Sequence, residues 1–172
     1  FSCRDYGDRT LLTEALSVQC WGSDTSIFGA DGRASPPDGT FDSVNAGGGH
    51  TCGVGSSGSV QCWGDDYYGQ ASPPEGRFEA VSAGGSHSCG IDASGSVQCW
   101  GSDESDLSSP PGGIFESVSA GRYHPCAVDT SGTVQCWGDE SDGRASPPDG
   151  TFESVSAGGA FTCGVDSSGA VQ

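Results

Sequence analysis

Nine cysteines in 172 residues are the first side chains able to do chemistry, as zinc ligands, redox thiols or disulfides. Zinc sites favour close pairs of the C-x2-C kind. Here Cys52 and Cys62, Cys89 and Cys99, and Cys126 and Cys136 are each separated by ten positions. Each pair brackets a short turn centred on Ser57, Ser94 or Ser131, with five positions on either side. The two cysteines therefore face each other across a hairpin. Opposed residues at a non-hydrogen-bonded position have Cα atoms roughly 4.5 Å apart, within disulfide reach. A closed loop of that size contributes roughly 2–3 kcal/mol in the chain-entropy account. Cys3 and Cys20 pair by analogy across a longer first hairpin. Cys163 is left over, because its partner would fall one place beyond Gln172. Three readings stay open: the sequence is a fragment of a longer array, another chain supplies the missing half-unit, or the thiol is free.

Other candidates recur at equivalent places. His50, His87 and His124 form one set, suited to metal binding or pH sensing. Trp21, Trp63, Trp100 and Trp137 form another, suited to stacking on sugars or to packing. Acidic loops follow each Trp-Gly, and Asp139, Ser141 and Asp142 make a partial match to a calcium loop, although a solvated loop is the default. Tyr67, Tyr68 and Tyr123 lie in loops, where tyrosine anchors partners. Ser35, Ser72, Ser109 and Ser146 each precede Pro-Pro and are candidates for O-glycosylation. N-glycosylation is excluded, since Asn45, the only asparagine, is followed by Ala46-Gly47. No catalytic residue is assigned. There is no GxSxG, HExxH or P-loop, and no metal or cofactor is called for.

The elements carrying these residues form a repeat. VQCWG begins at Val18, Val60, Val97 and Val134, and a fifth copy starts at Val171; the last three intervals are 37 residues and the first is 42. AGGxxxCGV and SPPxG recur in step with it. Each unit reads as short strands: two around a Gly-containing hairpin turn, then Pro-Pro, which is barred from a central strand, then FxSVSAG with Phe and Val alternating against Ser. Leu11–Leu16 is the one stretch fit for a helical turn. The atypical first unit suits a cap. The chain is one repeat domain, 1–172, with units near 1–49, 50–86, 87–123 and 124–160 and a partial unit over 161–172.

The unit VSAGGxHxCGVDxSGxVQCWGxDxxGQ resembles the repeat of the regulator of chromosome condensation family. The residues that carry the likeness are Ala83–His87, Gly95, Trp100-Gly101 and the loop from Gly64 to Gln70. It is nearer to secreted bacterial-type variants with paired cysteines than to the nuclear protein. The resemblance implies an all-β fold of propeller blades, usually seven and four-stranded, with the histidine packed and hydrogen-bonded and the tryptophan packed between blades. Four units and a part cannot close such a ring, so the ring here is incomplete, smaller or open.

Composition narrows the function. All six basic residues are arginine, against 23 acidic ones, for a net charge of −17. Such a surface repels nucleic acid and anionic membranes. No apolar run is long enough to span a bilayer. The chain begins at Phe1 rather than Met, as a mature product or a fragment would. The cysteines imply an oxidising compartment, so the expected location is extracellular or at the cell surface. The expected role is a non-catalytic module that binds a protein or glycan through its loops. The rival is a structural subunit that binds copies of itself in a filament or surface layer through its incomplete last blade. Intact mass of native material decides the glycosylation expectation: a mass equal to the bare chain, less the disulfide hydrogens, removes it.

Overall fold

The computed structural model describes residues 2–6, 17–26, 29–30 and 32–172, with side chains described over 18–24 and 32–172. Phe1, Leu11–Leu16 and the side chain of Cys3 lie outside the described residues. In chain order β1 (Ser2–Tyr6) pairs with β2 (Ser17–Trp21), and the two-residue β3 (Thr25–Ser26) with β4 (Gly29–Ala30). Three antiparallel three-stranded sheets follow. The first is β5 (Phe41–Ala46), β6 (His50–Gly55) and β7 (Val60–Gly64). The second is β8 (Phe78–Ala83), β9 (His87–Asp92) and β10 (Val97–Gly101). The third is β11 (Phe115–Ala120), β12 (Pro125–Asp129) and β13 (Val134–Cys136). Last come β14 (Phe152–Ala157) and β15 (Thr162–Asp166), with a single bridge from Val165 to Val171. From β5 onward each sheet thus joins a Phe strand to the hairpin that follows it. The sheets stack as an open arc of propeller-type blades rather than a closed ring.

The hairpin turns follow from their residues. Gly58, Gly95, Gly132 and Gly169 all take φ near +82°, in the left-handed region that glycine enters without strain. Asp92, Asp129 and Asp166 brace the turn by accepting the backbone N–H groups of the residues two and four positions on. This register sets Cys52 opposite Cys62, Cys89 opposite Cys99 and Cys126 opposite Cys136, and all three pairs are disulfides with Cα atoms 4.0–4.1 Å apart. Cys20 is also disulfide-bonded and lies across from Cys3. Cys163 is free and exposed.

In the Phe strands the structure differs from simple alternation. Phe and Val are three positions apart, which in a regular strand would send them to opposite faces. A β-bulge after Phe41, Phe78, Phe115 and Phe152 inserts one extra residue, so both side chains turn to the same face. Each blade then has two faces. One carries the disulfide with the Val or Ile beside it; the other carries Phe and Trp. The disulfide face of each blade packs on the Phe–Trp face of the next: Val18 on Phe41 and Trp63; Cys52 and Val54 on Phe78 and Trp100; Cys89, Ile91 and Val97 on Phe115 and Trp137; Cys126 and Val128 on Phe152. Within a face the rings lie 5.8 Å apart for Phe41 and Trp63 and 5.9 Å for Phe78 and Trp100. Three of the tryptophans are therefore packed between blades, as the resemblance implied; Trp21 is exposed.

A fourth strand per blade, also implied by the resemblance, is missing from these sheets. Its place in the chain holds the Pro-Pro pairs, which offer no N–H to a ladder. The only helical elements among the described residues are 3-10 turns at Glu104–Asp106 and Ser141–Gly143. No described helix is long and apolar enough to cross a membrane.

Replacing both Cys89 and Cys99 with serine should lower unfolding stability by about 2–3 kcal/mol, read by non-reducing thermal and denaturant melts. An unchanged midpoint would show that the blade interface, not the cross-link, holds this hairpin.

Candidate functional site

Two sets of loops meet at one end of the blades. The first set is the glycine-rich turns after the Phe strands; the second is the acidic loops after each Trp-Gly. The glycine turns are pinned to one another from blade to blade: the N–H of Gly48 donates to Gly84 O (2.9 Å), Gly85 to Gly121 O (3.1 Å) and Arg122 to Gly158 O (2.9 Å). Each acidic loop is tied to the turn of its own blade. Asp65 N–H donates to Gly49 O, Ser102 to Ser86 O and Asp139 to Tyr123 O, each at 2.9 Å. The joint demands glycine. Gly64, Gly101 and Gly138 take φ of 104°, 103° and 97°, and a Cβ on Gly64 would stand 2.7 Å from Gly49 O.

The two loop sets enclose an open basin of about 660 Å3. Its floor is glycine backbone; Tyr68, Tyr123, Asp65, Glu104, Leu107 and Arg122 stand around it. Tyr67 is outside the lining but meets Tyr68 edge-on, with ring centroids 4.8 Å apart. All three tyrosines are exposed. Tyr123 has two guanidinium groups against its ring, Arg122 at 5.0 Å and Arg144 at 5.6 Å from the centroid. Arg144 is itself fixed by Asp139 (3.3 Å), Asp142 (3.1 Å) and Ser141 O. The structure thus brings Tyr68 and Tyr123 to one site. The carboxylates of Asp139 and Asp142, singled out for calcium, face a guanidinium. Asp66 and Asp103 accept hydrogen bonds from their own loops, at Ala71 and Ser108. Among the described residues no three His, Cys, Asp or Glu converge as metal ligands. The serines before Pro-Pro are exposed; Ser35 and Ser72 donate to Asp24 and Asp66.

Arg122 and Arg144 were not singled out by residue type, whereas Glu104 belongs to the acidic loops that follow each Trp-Gly. The signal for the two arginines was variation between units. Arg122-Tyr123 stands where the unit has a second glycine and a small residue, and Arg144 stands at a position that varies among the units, as Arg33, Gln70 and Leu107.

Beneath the basin the histidines are buried between blades. Ser88 donates to Gln70 O (3.0 Å), which leaves its oxygen to accept from His50 Nε2 (2.7 Å). Trp100 Nε1 donates to the same carbonyl (3.0 Å). His124 Nε2 meets Thr162 Oγ1 (2.6 Å) in the same way. For these two, the packed and hydrogen-bonded histidine holds. His87 departs from it: Pro125 takes the place of the hydroxyl residue, and neither ring nitrogen has a partner. Burial is the main cause that depresses His50 and His87 to about 4, against a pull the other way from Asp65 and Asp66 on His50. His124 is lowered too, by burial first and Arg144 second.

Depressed folded-state values mean that the unfolded chain takes up protons first. The histidine contribution is therefore complete above the ordinary value of 6.5 and is lost as pH falls toward 4. The expected outcome is a melting temperature that declines over that window in pH-series melts. Pro125→Thr, which restores a hydroxyl opposite His87, should stabilise the protein by about 1 kcal/mol at neutral pH. No gain would mean that the proline ring's packing outweighs the missing hydrogen bond.

The family described as "Regulator of chromosome condensation (RCC1) repeat" matches residues 41–70, 78–106 and 115–144. No curated protein matches the chain. Among solved structures, the ectodomain of the receptor kinase CR4 from Physcomitrella patens is 26% identical with a TM-score of 0.78, over 99% of this chain and 46% of that one. The CRINKLY WD40 ectodomain of the receptor kinase ACR4 from Arabidopsis thaliana is 30% identical with a TM-score of 0.69, over 87% of this chain and 52% of that one. Prp20p from Saccharomyces cerevisiae, whose structure was reported with its binding to Gsp1p and histones, shares the fold at 14% identity and a TM-score of 0.69. The chain spans about half the length of these structures, at 46–52%.

Proposed function

The chain belongs to the regulator of chromosome condensation (RCC1) repeat family, and from that premise we propose that it is a non-catalytic extracellular module that binds a protein partner at the loop basin. The observation that carries this reading is the convergence of Tyr68 and Tyr123 on one cavity, with Tyr123 braced by two arginines. Exposed aromatic rings already held in place lose little entropy on binding, and they are typical anchors of protein interfaces. The glycine-turn ladder beneath them supplies a rigid floor.

The extracellular setting is supported by the disulfides and by the two receptor-kinase ectodomains that share the fold. A protein partner is favoured over a glycan because Trp63, Trp100 and Trp137 are covered by neighbouring blades and offer no row of rings to sugars. The net charge of −17 favours a partner surface that is basic where it meets the loops. Prp20p binds proteins, which fits the same use of the fold.

Photo-cross-linking residues placed at Tyr68, at Tyr123 and, as a control, at Ser94 on the opposite hairpin tips would test the site. The expected outcome is capture of the same extracellular protein from the first two positions only. Tyr68→Ala and Tyr123→Ala should then weaken binding of that protein about 30-fold each, as loss of an anchor does. Equal capture from both ends, or unchanged affinity in both variants, would refute the basin as the binding face.

A further inference from the structure

One position in every unit combines a fixed main chain with a variable side chain. It holds Arg33, Gln70, Leu107 and Arg144, each two places before a Pro-Pro serine. The backbone is the same each time. The residue before it takes a φ of 60–82°. That residue's carbonyl accepts the N–H of the serine at 3.0–3.1 Å. The variable residue's own carbonyl then accepts from a neighbouring strand: Arg33 O from Thr51, Gln70 O from Ser88 and Trp100, Leu107 O from Trp137 and Arg144 O from Thr162.

Only the side chain changes, and each reaches the basin in its own way. Arg33 Nη1 donates to Gly48 O on the floor (3.4 Å). Gln70 Oε1 accepts the N–H of Tyr68 (2.8 Å). Leu107 lines the cavity itself. Arg144, with its side chain 8% exposed, sets its guanidinium against the ring of Tyr123. Leu107 shows that the fold accepts a plain apolar side chain here, buried and well packed. Gln70 is less favourable by that measure: it is fully buried and its Nε2 has no hydrogen-bond partner, a penalty that leucine does not carry. Arg144 is likewise a charge largely withdrawn from water. What these two side chains have and leucine lacks is a polar or cationic contact with a rim tyrosine.

We propose that this position determines the specificity of the basin, with Gln70 and Arg144 as positioning residues that preset Tyr68 and Tyr123 for a partner. The inference rests on the basin being the binding face and says how that face is tuned. Exchanging one buried side chain changes how a tyrosine is presented, while the contacts between strands, made by the main chain, stay as they are.

The test labels the full chain with fluorinated tyrosine and follows each ring by fluorine NMR, assigned with Tyr68→Phe and Tyr123→Phe. Gln70→Leu should shift the Tyr68 resonance and leave that of Tyr123 in place; Arg144→Leu should do the reverse. Arg144→Lys, which keeps the cation but loses the planar fork, should return part of the Tyr123 shift. A side chain that served stability alone would move both rings or neither. The binding probe is a displayed library of random peptides panned on the unsubstituted protein. Peptides that lose affinity with Tyr123→Ala should also lose about tenfold with Arg144→Leu. Resonances that stay in place in both leucine variants, or Tyr123-dependent peptides that bind Arg144→Leu unchanged, would overturn the proposal. Peptides indifferent to both Tyr68→Ala and Tyr123→Ala would count against the basin as the binding face instead, and the resonances would still decide what Gln70 and Arg144 do.

Discussion

A small sheet of three short strands has two apolar faces and no core of its own, so each face must be covered by another layer. In this chain the disulfide face of one blade meets the Phe–Trp face of the next, and nearly everything else depends on that contact. It sets the order of blades along the arc. It buries three tryptophans that would otherwise be exposed binding groups. It also explains why the cysteines are paired within a hairpin: the cross-link stiffens the surface on which the next blade's rings rest.

Polar groups trapped in such an interface need partners, and the repeat supplies them one residue out of step. Asn45, Ser82 and Ser119 each accept a backbone N–H from the residue 38 positions later, at Ala83, Ala120 and Ala157. The interblade histidine bonds span the same 38 positions. With a repeat of 37 this offset places each rung on the next blade, and it makes the stack directional. Where the pattern fails, at Pro125, a buried imidazole is left without a partner.

The same stacking builds the basin. Each glycine turn is bonded to the next, so the loops hung from those turns inherit one rigid frame. Side chains on that frame are free to differ from blade to blade without disturbing the interface below. The differences gather there: Arg122 and Tyr123 replace glycine and a small residue, and the position of Arg144 is Gln70 and Leu107 in the two units before it. A repeat that is conservative where blades touch and variable where loops converge is suited to recognition.

Much of this was legible in the residues themselves. The 37-residue period, the hairpin turns with their left-handed glycines and the cysteine pairing follow from local rules, in which a turn type sets the register and the register sets which side chains oppose each other. Tyr67, Tyr68 and Tyr123 could be marked as loop tyrosines for the same reason. What only the tertiary structure decided involves neighbours distant in sequence. The bulge that turns Phe78 and Val81 to one face is favoured because the preceding blade rewards it, not by any local preference of Phe-Glu-Ala-Val. Tyr68 and Tyr123 share a cavity because the blades curve, and no spacing of residues encodes that curvature. Trp21 and Trp63 lie in identical pentapeptides, yet one is exposed and the other buried. Burial belongs to the surface that arrives from the adjoining blade, and the pentapeptide carries no record of it.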